Sequence, residues 1–215
     1  MLLGAILLWL AQASQADMRL HDARWQESHL PQVQSWKALR DQGIVKQDVD
    51  YSCGAASIAT LLNQQYGQNF SEAEVLALME HLGQEEGMAS FADMQAVAEY
   101  LGFHAQGYAL SYEQLALLRA PVIVYLRYRR NDHFSVLRGI DGDTMLLADP
   151  SLGHVSMSRQ QFMAAWQTRD GELSGKILAI VPQTEAAVGH SAFFTRYPLR
   201  QTAHSMQLAR MPQRY

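Results

Sequence analysis

Hydrophobic and polar positions divide the chain into a helical first half and a strand-rich second half. Gly54 to Gln65 carries Ile58, Leu61 and Leu62 on one helical face, and Gly67 stands just beyond the predicted end. Ser71 and Glu74 form a capping box opening a second helix that runs to Leu82 and stops at Gly83. Ser90 opens a third, Phe91 to Leu101, ended by Gly102. Ser111 with Gln114 caps a short fourth, closed by Pro121. After it the period changes. Val122 to Tyr128 (VIVYLRY) is β-branched and aromatic, as a buried strand requires. His133 to Ile140 and Thr144 to Asp149 read as two more strands, joined across Asp141-Gly142-Asp143, a hairpin signal. Val155 to Met157 and Ile177 to Val181 complete the predicted sheet, with a short helix from Gln161 to Trp166. Helices first and antiparallel strands second predict an α+β fold.

The two ends read differently. Leu2 to Leu10 is an apolar run interrupted only by Gly4, leading to Ala13-Ser14-Gln15-Ala16, with small residues at −3 and −1 before Asp17. Residues 1–16 therefore read as a signal peptide, although no Lys or Arg precedes the run. The alternatives are a buried helix or an uncleaved anchor; the run is too short to span a bilayer. The expectation is a periplasmic protein with no integral membrane segment in the mature chain. Residues 17–39 form an N-terminal extension, 40–182 the folded domain, and 183–215 a stretch with Arg196, Arg200, Arg210 and Arg214 against one acid, Glu185, expected to be a mobile tail. Composition is ordinary for a globular domain, 48% hydrophobic and 18% charged. A formal charge of −4 supplies no basic footprint for nucleic acid, and that class of partner is set aside.

Export makes the cysteine count informative, because secreted domains usually hold cysteines in pairs. Cys53 is alone in the chain. It stands at the first turn of its predicted helix, where unpaired N–H groups favour an anion, and thiolate is the reactive form of cysteine. An inert buried thiol is the competing reading. The small residues Gly54, Ala55, Ala56 and Ser57 suit close approach of a substrate backbone, and equally plain helix packing. Gln47, six residues upstream, could turn its amide toward an oxyanion, yet on spacing alone it reads as an exposed polar residue. A lone His133 on a strand is more often structural than catalytic. Asp149, sixteen residues on and just before Pro150, changes that. With an odd-numbered hairpin loop of Ile140, Asp141 and Gly142, His133 and Asp149 fall directly opposite on one face, with Cβ atoms about 4.5–5.5 Å apart. An even-numbered loop puts them on opposite faces and counts against the pairing, and Asp149 as a plain turn residue before Pro150 is the competing reading.

The stretch Gln47-Asp-Val-Asp-Tyr-Ser-Cys53-Gly-Ala-Ala, with His133-Phe-Ser-Val-Leu and Leu146-Leu-Ala-Asp149-Pro, resembles the bacteriocin-processing double-glycine peptidases. These are papain-like cysteine proteases, many of them fused to peptide exporters. The resemblance covers roughly residues 40–182 and is closest to stand-alone exported members, through phrases such as Trp36-Lys-Ala-Leu-Arg40 and Gly87-Met-Ala-Ser-Phe-Ala-Asp93-Met. It implies a papain-like fold, with Cys53 as nucleophile, His133 as base, Asp149 orienting it and Gln47 donating to the oxyanion. It also implies a polypeptide substrate, cleavage after a Gly-Gly-type site, and secretion or amyloid-export machinery as partner. The chain departs from exporter-fused members in carrying an export signal and no phosphate loop. Two rival readings are a polypeptide-binding module that does not cleave, and an acyltransferase or amidase using the same three residues. The other histidines are scattered without ligand spacing, so no metal and no cofactor is expected.

Overall fold

The computed structural model describes residues 35–83, 87–128, 131–141, 143–184 and 192–196. The stretch expected to be a signal peptide, residues 1–16, and most of the expected N-terminal extension lie outside these residues.

The helices form where their caps predict. After a short α1 (Trp36–Asp41), α2 spans Cys53–Tyr66 and ends at Gly67, whose φ of 66° places it in the left-handed region while its N–H closes on Asn63 O. Complete capping boxes open α3 (Glu72–His81) at Ser71 and Glu74, α4 (Phe91–Tyr100) at Ser90 and Asp93, and α5 (Tyr112–Ala116) at Ser111 and Gln114. Strand β1 (Phe103–Leu110) lies between α4 and α5. Then come β2 (Val122–Tyr128), β3 (Asn131–Asp141), β4 (Thr144–Asp149), β5 (Gly153–Ser158), α6 (Arg159–Trp166) and β6 (Gly175–Pro182). The strands make one antiparallel sheet in the order β1-β6-β2-β3-β4-β5. Neither α1 nor β1 was expected. The first is six residues long and buries none of them; the second alternates, but only Phe103 and Ala105 of it are fully buried.

Both sheet faces are covered, which explains the continuous apolar run of β2. Ile123, Phe134, Val136, Ala148 and Leu178 face α2, α3 and α4, meeting Ile58, Leu61, Val75, Met79, Met94 and Val97. Val122, Val124, Leu126, Leu137, Met145 and Leu147 face the other way, onto Leu115, Phe162 and Trp166. Helix α2 is sheathed along most of its length, with every residue from Cys53 to Leu62 buried. At about 1.5–3 kcal/mol per fully buried large side chain, Ile58, Leu61 and Leu62 fix α2 firmly against the sheet. That rigidity is what holds the start of α2 in place.

Of the C-terminal stretch expected as a tail, residues 192–196 pack onto β3. Phe193 is buried, its carbonyl accepts from Arg138 Nε at 3.2 Å, and Thr195 N donates to Arg138 O at 2.9 Å. Gly139 makes room for this passage: a Cβ there would collide with the Thr195 carbonyl.

Candidate active site

Cys53 is the first residue of α2, and no side chain caps that end. Ser52 occupies the capping position, but its hydroxyl turns back to Val49 O at 2.8 Å, and no acid sits in the first turn. The helix start is thus left open toward an anion. Cys53 itself is only 1% exposed. Gly54, Ala55, Ala56 and Ser57 are all buried, so their small size serves packing and not substrate access. A Cβ on Gly54 would meet Ala89 at 3.1 Å and Met94 Sδ at 3.4 Å. The end of the loop before α4 therefore presses directly on the start of α2.

His133 comes from β3 and lies near enough to Cys53 for the thiol to be among the groups that raise the imidazole's pKa. Its Nε2 meets Asp149 Oδ2 at 2.8 Å, which leaves Nδ1 as the ring nitrogen for the sulfur. How His133 and Asp149 meet differs from the sequence-based expectation. Asp141 pairs with Thr144, so two residues turn the hairpin, an even number. Between Leu137 and Gly139 the register shifts, because Arg138 bulges out of the ladder. The bulge adds one residue to β3 and reverses the parity that the turn had set. Val136 pairs with Ala148, and one further step puts Asp149 opposite Ser135. His133, two residues along, shares that face as a diagonal neighbour instead of standing directly opposite.

The electrostatics favour an ion pair. Burial works against a charged His133, but its hydrogen bonds to Asp149 and Cys53 outweigh that and raise its pKa to about 9. Burial likewise opposes charge on Asp149, which is 1% exposed, yet His133 and the backbone N–H groups of Leu152 and Ser151 hold its carboxyl below the usual range. Both N–H groups reach Oδ1 at 2.9 Å. Tyr128 lies beside the imidazole, ring centres 5.8 Å apart. Sequence reasoning missed Tyr128, Ser151 and Leu152; only the position of the last two just after Asp149-Pro150 hinted at a role.

Gln47 sits on the same turn. Its backbone N–H donates to Pro150 O at 3.3 Å, and its Oε1 accepts from Ser151 Oγ at 2.6 Å. Its Nε2 donates to Val49 O at 3.0 Å and lies 3.5 Å from Asp50 O, at the outer limit of a hydrogen bond. In these positions the amide is anchored to the turn immediately preceding Cys53.

The model of the Peptidase C39 family matches residues 41–169. Two curated relatives, from Pseudomonas aeruginosa and Pseudomonas fluorescens, both bear the name "Probable functional amyloid protease FapD". The first is 34% identical over 157 residues, 71% of this chain and 66% of that protein. The second is 34% identical over 139 residues, 62% of this chain and 61% of that protein. The chain thus spans under two thirds of the length of these relatives. Among solved structures, it is similar to the peptidase domain of Streptococcus ComA, a bi-functional ABC transporter, at TM-score 0.55 and 23% identity over 65% of this chain and 98% of that domain. It is equally similar to a double-glycine motif protease from an AMS/PCAT transporter in complex with the leader peptide, at TM-score 0.55 and 24% identity over 65% of this chain and 90% of the other. These neighbours share the papain-like arrangement of helices on an antiparallel sheet. The chain belongs to the Peptidase C39 family of cysteine peptidases.

Proposed function

We propose that this chain is an exported endopeptidase that cleaves a secreted polypeptide through Cys53, His133 and Asp149, with Gln47 completing the oxyanion site. The observation carrying this reading is the imidazole of His133, held on Asp149 through Nε2 at 2.8 Å and close enough to Cys53 for the thiol to raise its pKa. A His133 pKa of about 9 keeps the ring protonated at neutral pH, with the proton at hand for the leaving amine. The sulfur attacks the scissile carbonyl carbon, and the carbonyl electrons move onto oxygen. The backbone N–H of Cys53 and one N–H of Gln47 receive that oxyanion. When it collapses, the C–N bond breaks and His133 gives its proton to the leaving amine. Water then attacks the thioester, losing a proton to His133, and the acid departs as the sulfur regains its pair. Asp149 keeps the imidazole oriented and stabilises its charge throughout.

The substrate class rests on likeness. Relatives named as functional amyloid proteases and a neighbour solved with a leader peptide support a polypeptide carrying a Gly-Gly-type site, and secretion or amyloid-export machinery as partner. Export to the periplasm rests on the pattern of residues 1–16 alone. Mass spectrometry of the N-termini of secreted proteins, comparing wild type with Cys53→Ala, tests the function. One N-terminus following a small-residue site should vanish in the variant. An unchanged set of N-termini would leave the chain without a proteolytic role.

A further inference from the structure

One turn touches both halves of the site. Residues Asp149 to Leu152 fold so that the backbone N–H groups of Ser151 and Leu152 hold Asp149 Oδ1, while Oδ2 meets His133. The same turn grips Gln47 from the other side of the chain, through Pro150 O to its backbone and Ser151 Oγ to its Oε1. These are separate contacts from one residue. The Ser151 backbone serves the acid, and the Ser151 hydroxyl serves the amide.

The direction of the hydroxyl bond is fixed by chemistry. Val49 O can only accept, so the Gln47 atom beside it must be the nitrogen, and the atom beside Ser151 must be the oxygen. With Oε1 pinned, rotation of the amide about its last bond is stopped. Of its two N–H groups, one is taken by Val49; the other has only the 3.5 Å approach to Asp50 O. That second N–H, held only by this long contact, is the one a ligand oxygen can draw away.

We infer that Ser151 is a positioning residue for the oxyanion site: its hydroxyl locks the Gln47 carboxamide so that an N–H is presented ready to bind the tetrahedral oxygen. The inference rests on the peptidase reading above and adds to it a residue from outside the triad. An amide that must reorient in each cycle stabilises the transition state less than one already aimed. Ser151→Ala leaves every backbone bond of the turn in place, so Asp149 keeps its two N–H donors and only the Gln47 contact is lost.

The test measures kcat and KM on a fluorogenic peptide ending in Gly-Gly-aminomethylcoumarin, for wild type, Ser151→Ala, Ser151→Thr, Gln47→Ala and the double variant Gln47→Ala/Ser151→Ala. Ser151→Ala should lower kcat roughly ten- to a hundredfold with KM little changed, and Ser151→Thr should recover most of it. Removing Ser151 from Gln47→Ala should cost nothing further, because its purpose is gone. Affinity for the corresponding peptide aldehyde, whose adduct with the thiol places an oxygen at the same point, should fall in Ser151→Ala by a similar factor. Full activity in Ser151→Ala, or an equal loss in both backgrounds, overturns the inference. A different pattern sinks the underlying reading instead: Cys53→Ala cleaving as well as wild type, or Gln47→Ala cleaving without loss.

Discussion

At the residue scale, each group of the site is charged or aimed by a neighbour that can be removed. Asp149→Asn keeps the shape but turns an N–H toward His133 Nε2, which can then accept only as neutral imidazole. The alkaline limb of kcat/KM should therefore move from near pH 9 in the wild type toward or below the ordinary imidazole value of about 6.5, as a pH–rate profile will show. Stability follows the same signs. His133, raised, stabilises the fold fully below about pH 6.5 and loses that contribution as pH rises through about 9. Asp149, lowered, contributes above the ordinary carboxylate range and loses it as pH falls through its own depressed value. The melting-temperature gap between wild type and Asp149→Asn should accordingly be widest between those limits and narrow on both sides. Gln47→Ala should reduce kcat by about 10²–10³ while the protein stays folded. Chemistry was the most legible part of the sequence at this scale, because a lone thiol at a helix start and a His–Asp pair on adjoining strands leave a mark in residue type and spacing. Ser151 and Tyr128 left none. Their partners, Gln47 and His133, are met only after the chain has folded, 104 residues away in the case of Gln47.

At the element scale, the helices were readable and the register of β3 on β4 was not. Caps and stops are local chemistry: Ser71 with Glu74 and Ser111 with Gln114 act on residues three positions away. Parity between two strands is not local. The even turn and the bulge at Arg138 each reverse which face His133 points to, and together they cancel. Turn parity alone makes a shared face conditional on an odd loop; the loop is even, and the bulge restores the face while leaving His133 diagonal to Asp149. The bulge is also where residues 192–196 cross β3, so Gly139 serves both features. Gly139→Ala should destabilise by about 1–3 kcal/mol through the clash with Thr195, measured by urea unfolding. Phe193→Ala should cost about 3 kcal/mol, since Phe193 is 8% exposed and packs in the core beneath Arg138. Indifference of stability to both would mean that this passage contributes nothing to the fold.

Across the molecule, stability and chemistry are divided between the two faces of one sheet. Phe162, Trp166, Val124 and Leu137 close the face away from the site. On the other face, the core that buries α2 also buries Cys53, Phe134 and Ala148, which adjoin the reacting groups. The fold therefore brings a thiol, an imidazole and a carboxylate from three separate segments to one side of the sheet. Whether that arrangement activates the sulfur is the central question, and it can be asked without knowing the substrate. The rate of Cys53 alkylation by a peptidyl epoxide at pH 6–7 should be high in the wild type and at least a hundredfold lower (roughly, from general base contributions) in His133→Ala. Equal rates in the two proteins across pH would contradict the account, because the imidazole would then do nothing for the thiol.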